Sequence, residues 1–297
     1  MRSQEPLHER CIRWLLGAIA FCSLMALLGI MLFLFAEGLP IFAIYNPFDF
    51  FFGTYWYPAS DPPEFGIFPL IAGSLCVMLL ATFIAVPLGV LTAAYLTEIA
   101  PDGVRRVVKP FVELLAALPS VVIGFFGMVV VAPFLQQTFG LTTGLNLFNA
   151  ALMLAFMSVP TICSVAEDAI FAVPRSLREA SLALGATRWE TTIKVVLPAA
   201  LSGIGTAVML GMSRAIGETM VVLMVAGGAA MLPGSIFDPV RPMPASIAAE
   251  MAEAAFRGDH YHALFATGLV LFLFTLCFNM LAHYISAKYK QVGSSSL

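Results

Sequence analysis

Long apolar stretches and short polar ones alternate along the chain, and the apolar stretches set the list of elements. Six of them stand out, at about 14–36, 68–96, 110–134, 148–170, 199–227 and 263–287. A helix needs roughly 20 apolar residues to cross a bilayer, so each stretch predicts one membrane-spanning helix. The expected fold is an all-α polytopic membrane protein of about six spans. The first stretch, Trp14 to Ala36, is 23 residues long. A signal-peptide core is about 7–15 residues and ends at a small-residue cleavage site, whereas this stretch meets "EGLP", so it is read as an uncleaved first span.

Composition agrees. Of 297 residues, 60% are hydrophobic and 11% charged, against about 25% charged in a soluble domain; mean hydropathy is +0.92. The net charge of −3 says little, because the placement of charge matters more in a membrane protein. Placed with the N-terminus inside, the inner segments hold Arg2, Arg10, Arg13, Arg105, Arg106, Lys109, Arg175, Arg178, Arg188, Lys194, Lys288 and Lys290. The outer segments hold only Arg241 and Arg257, and Arg214 lies within a span. Inner loops are enriched in Lys and Arg, so both termini are expected in the cytoplasm.

Five cysteines (Cys11, Cys22, Cys76, Cys163 and Cys277) lie in or beside apolar stretches without a CxxC pair, and read as small buried hydrophobes. Four histidines, His260 and His262 among them, form no HExxH. The outer segment 37–67 is rich in aromatics, Pro and Gly. It predicts a cap of short helices and turns at the headgroup zone, where Tyr and Trp are favoured. In the outer segment 228–262, "SIAAEMAEAAF" predicts a short helix. The organisation is therefore a first span with its aromatic outer segment (1–67), a core membrane domain (68–290) with an inner loop at 171–198, and a tail (291–297).

The inner loop reads "PRSLREASLALGATRWETTIKVVLP". Ser176 with Glu179, and Thr187 with Glu190, each have the spacing of a capping box, in which a hydroxyl and a carboxylate three residues on satisfy free helix-start amides. Gly185 can take the left-handed conformation that ends a helix. The prediction is helix, glycine joint, helix at the inner membrane face. By these features alone it could be an amphipathic tether or a connector to a partner. Glu179-Ala180-Ser181, Gly185, then Val195-Val196-Leu197-Pro198 resembles the "EAA…G…I-x-LP" loop of bacterial ABC importer permeases. The resemblance implies a type I ABC importer permease fold. Glu179, Ala180, Gly185, Leu197 and Pro198 then belong to a coupling element that docks on an ATP-hydrolysing subunit. No GxxxxGK[ST] phosphate loop occurs in the chain, so ATP and Mg are expected on that separate subunit and no cofactor on this one.

In the stretch 199–227, Arg214 and Glu218 are the only charges. Each costs about 2.5–3.5 kcal/mol at a span's centre on insertion scales. On one continuous helix, Gly203, Ala207, Gly211, Arg214 and Glu218 share a stripe, and its small residues admit a neighbouring helix. Two readings stand at this point. The pair is a self-neutralising i,i+4 ion pair, or it is a ligand site in which a planar fork of donors receives an oxyanion.

"SRAIGETM", "ELLAALPSVVIGFFG" and "VPLGVLTAAYLTEIAP" resemble the phosphate-specific branch of these permeases, and the aromatic outer segment resembles its C-type subunits. The resemblance implies a substrate pathway that includes Arg214 and Glu218. In Leu118-Pro119-Ser120 the residues themselves offer Ser120 as a further donor to an anion, or simply a proline kink. The resemblance also implies partners: a second homologous permease, an ABC ATPase dimer and an extracytoplasmic phosphate-binding protein, in the bacterial inner membrane, with lipid around them and no nucleic acid. The implied activity is translocation by alternating access, without catalysis by this chain. Permeation of another oxyanion, such as molybdate or sulfate, remains an alternative. An ion-coupled secondary transporter with Glu218 as proton carrier, or an intramembrane enzyme, stand further off. Glu113, Glu167 and Asp168 lie near inner ends of spans, with partners expected among Arg175, Arg178 or the ATPase.

Overall fold

The computed structural model describes residues 7–289; the tail at 291–297, Arg2 and Lys290 lie outside the described residues. Helix α1 (Leu7–Gly38) is the first span. The outer cap follows as α2 (Ile41–Ile44), α3 (Pro47–Phe52) and an antiparallel hairpin of β1 (Trp56–Tyr57) and β2 (Glu64–Phe65), with Trp56 opposite Phe65. The start of α3 is set locally, because the Asn46 side chain accepts from the Phe48 amide at 3.0 Å.

Helix α4 (Phe68–Ala94) continues through a π-helical turn, Tyr95–Ile99, to the inner face, where α5 (Asp102–Ala116) lies. The third span is built from α6 (Ser120–Phe126), a second π turn (Gly127–Val131) and α7 (Ala132–Phe139). Gly140 ends it at φ +63°. Helix α8 (Leu147–Phe171) returns inward to α9 (Arg175–Ala183) and α10 (Arg188–Thr191). A third π turn (Thr192–Val196) leads into α11 (Leu197–Ile216), then α12 (Met220–Val225), α13 (Met243–Glu250) and α14 (Asp259–Tyr289). Six helical segments among the described residues are long and apolar enough to cross a membrane.

Two span boundaries depart from the sequence expectation. The third span begins at Ser120, not 110, because α5 is a separate helix. Its Arg105, Arg106 and Lys109 hold it at the inner face. Pro119, at ψ 134°, lacks the amide that would continue the helix. The fifth stretch is not one helix from 199 to 227: α11 stops at Ile216 and α12 starts at Met220. Gly217 accommodates the break. Glu218 supports it by turning its carboxylate back to the Val221 amide at 3.3 Å, a local bond that competes with helical continuation.

Helix α8 is the most buried span, with α4 and α11 against it. Lipid is as apolar as leucine, so close contact at small residues holds such helices together. A Cβ on Gly89 of α4 would lie 2.8 Å from Ile162, and one on Gly211 of α11 would lie 2.6 Å from the same residue. The expected small-residue stripe thus meets α8, as far as Gly211. Helix α1 is peripheral. It rests on α14 near its outer end, where Gly38 approaches the Ala266 backbone and Phe33 meets Phe265 edge-on at 5.5 Å.

The outer cap closes on one carboxylate. Glu250, at the end of α13, accepts from Trp56 Nε1 at 2.9 Å and Ser246 Oγ at 3.2 Å, pairs with Arg241, and meets His260 Nε2 at 2.9 Å. The hairpin, α13 and α14 are tied together by that single side chain.

Candidate functional site

Two constellations carry the chemistry. The first surrounds the break between α11 and α12. Arg214 sits in the last turn of α11, exposed on the surface of the chain. Its Nη1 donates to Thr161 Oγ1 at 3.2 Å, its single side-chain hydrogen bond among the described residues. An arginine has five N–H donors, so most of the fork stays open. No ion pair joins Arg214 to Glu218 among the described residues, and the i,i+4 reading falls with the helix that would have supported it. Glu218, half-buried in the break, caps α12 instead.

Ser120 reaches the same neighbourhood from another element. Helices α6 and α12 run side by side: a Cβ on Gly124 would lie 3.3 Å from Val221 Cα, and one on Gly127 2.8 Å from Val225. That register sets Ser120, the first residue of α6, level with the Gly217–Thr219 break. Two helix starts and the end of α11 therefore meet at one depth, with Ser120 half-buried and, among the described residues, not hydrogen-bonded to either charge. Thr161 is the residue that sequence reasoning missed. The available signal was Pro160-Thr161 inside an apolar stretch, a hydroxyl beside a proline that removes one amide from the α8 ladder. Beside Arg214, Ser213 Oγ donates to Asn279 Oδ1 of α14, which fixes the end of α11 against the last span.

The second constellation is the inner loop. Pro174 stands at the cap of α9, Gly185 turns the chain at φ +86°, and α10 follows. The Thr187–Glu190 capping box is formed: the Glu190 amide donates to Thr187 Oγ1 at 3.2 Å and the Thr187 amide to Glu190 Oε2 at 3.0 Å. The Ser176–Glu179 box is not. Helix α9 starts two residues earlier than that box requires, with Pro174 at its cap, so Ser176 already lies within its first turn. Ser181 and Thr191, both buried, share a hydrogen bond at 2.9 Å that locks α9 to α10. Glu179, Ala180 and Gly185 are exposed, and so are Leu184 (90%) and Trp189 (61%). A rounded helical knob with an apolar tip results. Leu197 and Pro198 open α11 just after the π turn, so the knob is continuous with the helix that bears Arg214.

One of the inner carboxylates, Glu167, has other partners than expected. Glu167, 2% exposed, is held by Arg105 at 2.8 Å and Lys109 at 3.2 Å, both on α5 and neither in the loop. Arg178 binds Glu98, in the π turn after α4, at 2.7 Å.

Helical spans that pack on a central α8, an inner helical knob and a broken fifth span with a charge at its break define a membrane permease core of the type found in ABC importers. Residues 85–291 match the family of binding-protein-dependent transport system inner membrane components, and the chain belongs to that family. It is 39% identical over 291 residues to "Probable ABC transporter permease protein YqgH" of Bacillus subtilis (strain 168), covering 97% of this chain and 94% of that one. It is 36% identical to "Phosphate transport system permease protein PstC" of Mesorhizobium japonicum, over 90% of this chain and 86% of the relative. Among solved structures, a bacterial alginate ABC transporter in complex with its pentasaccharide-bound periplasmic protein aligns with a TM-score of 0.66. It is 18% identical and covers 97% of this chain and all of that one. The MetNI methionine ABC transporter, in an inward-facing conformation, aligns at 0.56 with 22% identity, over 76% of this chain and 95% of its own. At such identities these two speak for the fold alone. The protein is a multi-pass inner-membrane permease.

Proposed function

We propose that this chain is the C-type permease subunit of an ATP-driven importer of inorganic phosphate. The observation that carries the reading is Arg214, an exposed guanidinium with an open fork at the break of an otherwise apolar span. The phosphate permeases among its relatives support the choice of anion. Phosphate passes along a path past Arg214, with Ser120 and Thr161 as neutral donors. Glu218 keeps the path from becoming a permanent anion trap, since its charge lies a few residues from the arginine, and it can accept from a protonated phosphate, a bond that fully ionised sulfate cannot offer.

The chain works beside a second, homologous permease in lipid, with two ATPase subunits inside and an extracytoplasmic phosphate-binding protein outside. It catalyses no bond change. ATP and Mg reside on the ATPase, and closure of that dimer moves the knob carrying Glu179, Ala180 and Gly185. Leu197 and Pro198 hand the motion to α11, and the break at Gly217–Thr219 is where the path opens to one side or the other.

The test is uptake of labelled phosphate by the assembled complex in vesicles, with ATP inside. A hydrogen bond to a charged group contributes roughly 1.5–3 kcal/mol, so Arg214→Gln is expected to lower uptake by about ten- to a hundredfold with assembly intact. Glu218→Gln is expected to reduce discrimination against sulfate. Normal uptake in both variants rejects the site, and equal competition by molybdate or sulfate rejects phosphate as the substrate.

A further inference from the structure

On the proposed importer reading, we infer that Arg178 is a strut that carries the motion of the inner knob into the second span, α4, to which the knob has no covalent connection. The chain path from α9 runs back to α8 through residues 172–174 and forward through α10 to α11. Helix α4 is reached only through side chains. Arg178 spans the gap: Nη2 and Nε donate to Glu98 at 2.7 and 3.1 Å, Nη2 also donates to the Ile170 carbonyl at 2.9 Å, and Nη1 donates to the Val173 carbonyl.

Each contact has a physical consequence. Ile170 and Val173 belong to the last turn of α8 and just beyond, where helix carbonyls lack intrahelical partners, so Arg178 also closes the end of the most buried span. The side chains of Arg178 and Glu98 are only 19% and 13% exposed, a setting in which an ion pair is less screened than on open surface. Glu98 lies in the π turn Tyr95–Ile99. Such turns interrupt the regular helical ladder and are frequent at functional sites, so a pull on Glu98 is applied where α4 can most easily bend. The loop's own π turn, Thr192–Val196, stands at the matching point of α11. The knob therefore holds two spans, each at a softened inner end, one covalently and one through Arg178.

The geometry needs a guanidinium, because a lysine ammonium cannot reach a carboxylate and two carbonyls from one planar fork. Arg178→Lys therefore keeps the charge and removes the strut. In the full complex, reconstituted with binding protein, ATP hydrolysis and substrate uptake are measured together. Arg178→Lys and Glu98→Gln are expected to keep stimulated ATP hydrolysis, since the docking surface is unchanged. Substrate moved per ATP should fall by about tenfold, as for loss of a charge-assisted hydrogen-bond set. A second readout needs no substrate: spin labels at the exposed positions Leu91 and Leu177 report the separation of α4 and α9. In the unaltered chain that separation is expected to be the same with and without nucleotide, and in Arg178→Lys it is expected to change.

An unchanged transport ratio in Arg178→Lys, or a label separation that already varies with nucleotide in the unaltered chain, overturns the strut. So does a proportional loss of hydrolysis, uptake and assembly, which would make Arg178 a fold fastener. If the unaltered complex moves no phosphate, the substrate assignment fails while the label measurement still decides the strut.

Discussion

Gly203→Ala adds one methyl group at the contact between α11 and α8, and its cost follows from the geometry. The new Cβ would lie 2.3 Å from Ala169 Cβ and 3.4 Å from Ala169 Cα. Carbon atoms in contact sit at about 3.5–4.0 Å, so the helices must separate by more than an ångström or tilt. Neither is free, because Gly89 of α4 and Gly211 of α11 both press on Ile162, about two turns along α8. Overpacking of this kind costs about 1–3 kcal/mol, equivalent to about a 5- to 150-fold change in the folded fraction. The assay is thermal unfolding of the detergent-solubilised complex, with two companion variants. Gly205→Ala meets nothing within 4 Å and gains up to about 1 kcal/mol of helix propensity, so it should be neutral or slightly stabilising. Ala169→Gly in the Gly203→Ala background removes the opposing methyl and should recover most of the loss. If Gly203→Ala melts with Gly205→Ala, or if Ala169→Gly does not rescue it, the claim that backbone proximity holds α8 to α11 is wrong.

Three further outcomes are expected. Gly185→Ala keeps an open turn, with nothing within 4 Å, but forces a side chain onto φ +86°; the strain of about 1–2 kcal/mol should shift the joint and lower uptake per ATP hydrolysed in vesicles, while assembly persists. Thr187→Ala removes the capping box and about 1 kcal/mol, which amide hydrogen exchange should register as faster exchange confined to α10. Glu250→Gln keeps the shape but replaces the charge that Arg241 and Trp56 share; losing charge-assisted bonds worth roughly 1.5–3 kcal/mol should increase proteolytic cleavage in the outer cap, with the inner loop unaffected.

The spans and their direction were legible because a bilayer imposes a one-dimensional rule. Apolar length and the placement of Lys and Arg are enough to count helices and to place Arg241 and Arg257 outside. The glycine joint at Gly185, the box at Thr187 and Glu190, and the short helix near Glu250 were legible for a similar reason, since each rests on residues within one or two turns of each other. The Ser176 box failed on the same local scale, where Pro174, two positions before the serine, took the cap and left Ser176 inside the first turn.

The remaining features depended on contacts between distant segments. Hydropathy could not reveal the break at Gly217–Thr219, because the residues on both sides are equally apolar and the break is stabilised by Glu218 turning back and by α12 packing on α6. Thr161 became Arg214's partner, and Arg105 with Lys109 became Glu167's, only when α8 came to lie against α11 and α5. Arg178 found Glu98 across 80 residues of sequence. Local pattern follows from the solvent that each residue must face, so the chain alone reveals it. The pairing of charges follows from which helices approach closely enough to exclude lipid and water between them, and only the packed structure decides that.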